Sequence, residues 1–245
     1  MRRLPLAVAL VLALAGCGGD SDDLTVSAAA SLKQAFTQYG RQFAGADVRF
    51  SFAGSDELAA QIEQGVKPDV YAAANTKLPQ QLYEKGLVEQ PTVFAGNRLV
   101  LAVPADGARV SSLRDLGRDG VKLAIGAEDV PVGAYTRTVL ENLPDGERAA
   151  ILANVRSEEP DVRGVVGKLA QGAADAGFVY LTDVKATGGE LEAIELPAGL
   201  EPEVAYGAGV VKKARQPELA AKFVDGLTKG ACADALTAAG FGAAP

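Results

Sequence analysis

The chain has 245 residues, 48% of them hydrophobic, 22% charged and 6% aromatic, with 24 basic against 31 acidic side chains, net −7. This globular composition excludes a disordered, collagenous or disulfide-scaffold protein, and without a basic excess nucleic acid is a poor partner. Histidine is absent, which excludes histidine triads, histidine general bases and histidine metal sites, and two cysteines are too few for a cysteine-rich zinc or iron–sulfur centre.

Arg2 and Arg3 precede an apolar run, Leu4 to Ala15, which ends in Leu14-Ala15-Gly16-Cys17. The run is too short to span a bilayer comfortably and reads as a signal peptide over residues 1–16. LAGC resembles the bacterial lipobox, which implies that Cys17 is lipidated and that two acyl chains hold the protein at the membrane. Residues 17–23 then form a polar tether. The expected location is extracytoplasmic, on the outer face of the plasma membrane, or periplasmic where an outer membrane exists. Without residues 1–16 the chain keeps 22 basic and 31 acidic residues, net −9. Cys232, in ACADALTAAG, reads as a small buried hydrophobe without chemistry.

From Leu24 onward strands and helices alternate. Leu24–Ala28 reads as a strand, and Leu32–Phe43 as a helix with Leu32, Ala35, Phe36, Tyr39 and Phe43 on one face. Val48–Ala53 is a strand, followed by a helix around Leu58 and Ile62 that ends at Gly65. Val70–Ala74 is strand-like, and Thr76–Lys85 is a helix stopped by Gly86. Leu99–Val103 is apolar throughout, as for a strand covered on both faces. Strands at Lys122–Gly126, Ala176–Tyr180, Leu191–Leu196 and Val204–Val211 and helices at Ala134–Leu143, Val162–Gln171, Pro217–Lys229 and Ala231–Ala239 complete the pattern. Such alternation predicts parallel sheets flanked by helices.

Four helix starts share one device: small residues or a cap leave unpaired N–H groups facing the strand ends. They are Ala28-Ala29-Ala30-Ser31, Ala53-Gly54-Ser55-Asp56, Val130-Pro131-Val132-Gly133 and Pro160-Asp161-Val162-Arg163, with Asp161 an N-cap candidate. Ligands of open α/β sheets bind outside the carboxyl ends of strands, and helix N-termini favour anions. Singly each signal has a plainer meaning. Serines at helix starts are usually caps, Val132 and Val162 mark only helix starts, and Tyr180 and Tyr135 read as packing residues. Arg163 reads as exposed or salt-bridged.

Seven stretches in order resemble the extracytoplasmic molybdate-binding proteins of ABC transporters: AAASLKQAF (28–36), FAGSDELAAQIEQG (52–65), PDVYAAA (68–74), GNRLVLAVP (96–104), VPVGAY (130–135), DVRGVVGKL (161–169) and GFVYLTDV (177–184). The resemblance covers nearly all of the chain from Leu24. It implies a two-lobed α/β clamshell of the type II periplasmic-binding-protein class, each lobe a mostly parallel sheet, with residues 24–96 plus 207–245 in one lobe and 97–206 in the other. It places the oxyanion contacts at Ser31, Ser55, the main-chain N–H groups of Val132 and Val162, and the Tyr180 hydroxyl. It departs from the family where alanine is common in place of Val132, at the approach Gly126-Ala127-Glu128-Asp129, and in GSDEL, which offers fewer spare hydroxyls.

Neutral donors suit a tetrahedral dianion, because a buried counter-ion must itself be desolvated. A cage without a carboxylate acceptor also disfavours oxyanions that keep a proton. The implied function is capture of molybdate, and of tungstate, by a monomer that serves an ABC permease. No cofactor and no direct metal ligand are expected, the anion being held through its oxygens. Two alternatives remain: sulfate or Fe(III) in the same clamshell, or a clamshell-derived enzyme acting on a small carboxylate, using Glu128, Asp129 or Glu159.

Overall fold

The computed structural model describes residues 23–245; the expected signal peptide, lipidation at Cys17 and most of the tether lie outside them. Among the described residues no helix is long and apolar enough to cross a membrane.

The first lobe is built on β1 (Leu24–Ala29), β2 (Val48–Ala53), β3 (Val70–Ala73), β4 (Thr92–Asn97) and β10 (Val204–Val210), in the order β2-β1-β3-β10-β4. The second is built on β5 (Leu99–Pro104), β6 (Leu123–Gly126), β7 (Val155–Glu159), β8 (Ala176–Tyr180) and β9 (Leu191–Ile194), in the order β7-β6-β8-β5-β9. This is a two-lobed α/β clamshell. In each sheet four strands run one way and one is reversed: β10 is antiparallel to β3 and β4, and β5 is antiparallel to β8 and β9. The reversed strand is in each case the one by which the chain enters from the other lobe. The boundary expected after residue 206 falls inside β10, which pairs as a whole with the first sheet.

The helices are α1 (Lys33–Gln42), α2 (Ser55–Glu63), α3 (Lys77–Glu84), α4 (Pro131–Glu141), α5 (Asp145–Ala153), α6 (Val162–Ala170), α7 (Leu181–Ala186), α8 (Pro217–Gly226) and α9 (Gly230–Ala239). Three-ten turns occupy Ala30–Leu32 and Leu113–Gly117. α1 buries Ala35, Phe36 and Tyr39, the face expected from its spacing, and Phe36 meets Phe223 of α8 edge-on at 5.7 Å. Cys232 is fully buried, and that burial pushes its thiol up to about 12, so it packs as a hydrophobe.

One shifted boundary bears on the site. α4 begins at Pro131 rather than Ala134, so Val132 and Gly133 belong to its first turn. Gly133 is obligatory there, because a Cβ would collide with the Ala127 carbonyl oxygen where the loop after β6 folds onto the helix. β4, β7, α5 and α7 were not expected. β4 and β7 are edge strands, and β7 (VRSEE) alternates half-buried with exposed charged positions.

One buried carboxylate ties the first lobe together. Asp69, fully buried before β3, accepts hydrogen bonds from Thr25 N (2.8 Å), Thr25 Oγ1 (2.6 Å) and Gln216 N (2.9 Å). It thereby joins β1, β3 and the start of α8 behind the strand ends that carry the site.

Candidate functional site

In each lobe three parallel strands end at the seam: β1, β2 and β3 in one, and β6, β7 and β8 in the other. The segments leaving them enclose one interlobe cavity lined by Ser31, Ser55, Val132, Val162 and Tyr180, with Ala29, Ala53, Gly54 and Ala74 as small wall residues. All five positions singled out in the sequence therefore meet, two from the first lobe and three from the second. The cavity is small, about 10 Å³, and its five residues are buried. It holds roughly one water-sized sphere.

Neither serine caps its helix. The N-cap of α2 is Gly54, Ser55 is the first helical residue, and no side-chain cap bond occurs there or at either helical start after β1. Instead each hydroxyl is held in a buried hydrogen bond. Ser55 Oγ accepts from Ala74 N at 3.1 Å, and its carbonyl is fixed by Tyr71 Oη at 2.7 Å. Ser31 Oγ lies 2.9 Å from Tyr206 Oη, which itself receives Asn97 Nδ2 at 3.4 Å. Either hydroxyl can donate in the Ser31–Tyr206 bond, which holds Ser31 Oγ at the cavity wall, while Asn97 holds the tyrosine in turn.

The second lobe supplies donors of a different kind. Pro131 has no N–H, so Val132 carries the first backbone donor of α4, and a first-turn N–H has no partner inside its helix. Val162 is the first residue of α6, whose N-cap Asp161 accepts from Gly164 N at 3.0 Å. Tyr180 closes β8 with its ring edge-on to Tyr206 at 6.0 Å and Tyr135 at 6.4 Å. Its hydroxyl is buried and has no hydrogen-bond partner among the described residues. Burial holds both Tyr180 and Tyr206 well above the ordinary phenol range, so both stay neutral donors.

Several contributors escaped the sequence reading: Tyr206, Asn97 and the Ala74 N–H, which orient the two serines. Tyr206 carried a signal, since a tyrosine in the middle of an apolar strand needs a partner for its hydroxyl. The cavity also has a carboxylate on its wall, contrary to expectation, in Asp161. One of its oxygens is engaged by the helix it caps. Glu128, Asp129 and Glu159 do not line the cavity. Glu128 lies beside Arg137 at 3.9 Å, and Glu159 accepts from Ser157 Oγ with Lys168 at 3.7 Å.

Behind Tyr180 sits Asp183, which accepts from Tyr180 N at 3.1 Å. Burial, followed by the Asp161 charge, pushes its carboxyl up to about 7. At the opposite edge, burial raises Asp56 in the first turn of α2, and Asp129 and Asp161 facing it from the second lobe raise it further.

Residues 24–242 match the family of bacterial extracellular solute-binding proteins. The chain belongs to this family. Among its relatives, the molybdate-binding protein ModA of Mycobacterium tuberculosis is 35% identical over 250 residues, covering 95% of this chain and 94% of the relative. The periplasmic molybdate-binding protein of Azotobacter vinelandii superposes with a TM-score of 0.79 at 23% identity, covering 89% of this chain and 98% of that one. The sulfate-binding protein SubI of M. tuberculosis reaches 0.79 at 16% identity, with 89% and 86% covered. At such identities these structures show the fold alone, and the same fold carries one protein named for molybdate and one named for sulfate.

Two tests follow from this geometry. A Cβ at Gly54 would lie 2.5 Å from the Pro160 carbonyl oxygen across the seam, while its φ of −57° suits any residue. Gly54→Ala should therefore fold, with the Asp56 side chain 2.8 Å from the new Cβ moving aside, yet lose at least about tenfold in oxyanion affinity, the equivalent of about 1.4 kcal/mol, because the lobes no longer meet. Unchanged affinity by calorimetry would contradict that. Asp183 binds its proton more tightly folded than unfolded, so it adds stability at low pH that is lost as pH rises from its ordinary 3.8 through about 7. Asp183→Asn should flatten that decline in melting temperature relative to the parent. Parallel pH profiles for the two proteins would refute it.

Proposed function

We propose that this protein captures molybdate, and also tungstate, for an ABC importer. The observation that supports the reading is the set of five neutral donor residues from both lobes lining one interlobe cavity, two of them serines whose hydroxyls are held in buried hydrogen bonds. Tyr180 Oη, buried and unpartnered, is the fifth, and an anion oxygen would satisfy it. The resemblance across seven ordered stretches and the name of the M. tuberculosis relative support molybdate over sulfate.

The energetics are consistent with capture by closure. Hydrogen bonds to a charged group contribute roughly 1.5–3 kcal/mol each. Five of them exceed an association penalty of about 4–15 kcal/mol only when the cage is preformed or closes fully around the anion. A ligand that bridges the lobes stabilises the closed form by its differential affinity for it, and a permease can read that form. Sulfate has the same charge and shape, so discrimination falls to cavity size and to the branch of Val132. Asp161 on the wall would repel a fully ionised anion. Its capping bond to Gly164 N offsets part of that charge. Fe(III) is disfavoured, since Tyr180 is the one tyrosine on the cavity wall. The enzyme reading draws no support from Glu128, Asp129 and Glu159, which lie away from the cavity. Lipid attachment through Cys17 and a monomeric state belong to the same proposal.

Thermal unfolding tests the ligand. At a hundredfold excess over its dissociation constant, molybdate or tungstate should add about 2.7 kcal/mol of stability. The double substitution Ser31→Ala with Ser55→Ala should remove most of that gain, measured against the variant's own ligand-free melt, which falls because Ala74 N–H and Tyr206 Oη each lose a buried partner. A transition moved by sulfate but not by molybdate would overturn the assignment.

A further inference from the structure

The seam between the lobes opens on two sides of the cavity, and the two openings differ in charge. One groove, about 640 Å³, runs between α1 and α9 of the first lobe and α6 and α7 of the second, and shares Ser31 with the cavity wall. Lys33 and Arg41 line it from one lobe and Arg163 from the other. All three side chains are exposed, and among the described residues none pairs with a carboxylate. The one carboxylate of this groove, Asp183, is buried and receives the Tyr180 N–H. The other groove, about 510 Å³, is lined by Asp56, Glu128, Asp129 and Glu141 against Lys77 and Arg137, and Arg137 is itself paired with Glu158 at 3.1 Å.

Two of the three cations of the first groove sit where local stability does not favour them, whereas Arg41 lies in the last turn of α1, the end that favours a cation. Lys33 is the first residue of α1 and Arg163 the second of α6. A helix start is the positive end of the macrodipole, which disfavours a cation. Each follows a cavity residue closely: Lys33 comes two after Ser31, and Arg163 directly follows Val162. Helix packing has no use for these charges, whereas an approaching anion does.

Building on the oxyanion reading above, we propose that Lys33, Arg41 and Arg163 form an electropositive entry groove that steers a tetrahedral dianion into the cavity from one side of the seam, while the acidic groove closes the other side to it. Clefts lined by charge of one sign raise local ion concentration and on-rates by about 10–10³. Here the gradient runs from the basic rim to neutral donors, so the anion is drawn in by charge and held by hydrogen bonds. The three cations act on the association rate and leave the bound state to the cage. In a chain of net −9 without its first sixteen residues, this local reversal of sign gives a dianion a route in.

Stopped-flow binding of molybdate, followed by tyrosine emission in a chain without tryptophan, tests this. The triple variant Lys33→Gln, Arg41→Gln, Arg163→Gln should lose about tenfold in association rate at low ionic strength, with dissociation unchanged, and the loss should shrink as added salt shortens the Debye length. A second triple variant, Lys67→Gln, Arg114→Gln, Lys229→Gln, makes the same change in net charge at exposed positions outside both grooves and should keep its association rate within about twofold, as screening of distant charges requires. An unaltered rate in the first triple, an equal fall in the second, or an effect on dissociation alone would overturn the steering role while the ligand assignment stands. A parent protein that binds no molybdate would overturn both.

Discussion

A dianion taken out of water must recover its lost hydrogen bonds, and a cavity without a cation has only neutral donors to offer. Under the proposed function, that requirement organises the molecule. Donors must converge, must keep their protons pointing inward, and must come from both halves if binding is to be coupled to closure. The fold meets the first condition by ending three parallel strands of each sheet at the seam. It serves the second at Ser55, whose Oγ accepts from the Ala74 N–H and so keeps its own proton free to turn inward, and it fixes Ser31 against Tyr206. Gly54 serves the third, since it lets the backbone of one lobe approach Pro160 of the other.

The same logic explains the polar residues beneath the cage. Tyr206 lies in a fully buried strand that returns to the first lobe, and its hydroxyl meets the end of β4 at Asn97. Asn97 also donates to Thr182 Oγ1 of the second lobe at 2.9 Å. One hydrogen-bonded chain thus runs from the crossover to Ser31, linking the crossover between the lobes to the orientation of a cavity donor. Such chains polarise their members and are costly when incomplete. Tyr180 stands at the other end of this aromatic group, against Tyr206 and Tyr135, with its buried hydroxyl unpartnered among the described residues.

Much of this was legible before any coordinates. Periodicity located the strands that are buried on both faces and most helices, and Pro131 and Asp161 marked two helix starts through chemistry that has one common meaning. The five cavity residues were found through the family resemblance rather than by pattern, because each alone reads as a cap or a packing residue. What was missed has physical causes. β4 and β7 are edge strands, and β7 lacks an apolar face. The reversal of β5 and β10 leaves no trace in hydrophobic pattern, since a buried strand is apolar whichever way it runs. The role of Tyr206 depends on a partner 175 residues away, Ser31, and no local reading reaches that far.

Anomalous diffraction at the molybdenum edge, from crystals grown with molybdate, addresses the central claim most directly. The account requires a single strong peak in the interlobe cavity, with oxygens within hydrogen-bond reach of Ser31 Oγ, Ser55 Oγ, Tyr180 Oη and the N–H groups of Val132 and Val162, and with no Lys or Arg side chain in contact. A peak in either outer groove, or one coordinated by carboxylates, would contradict it.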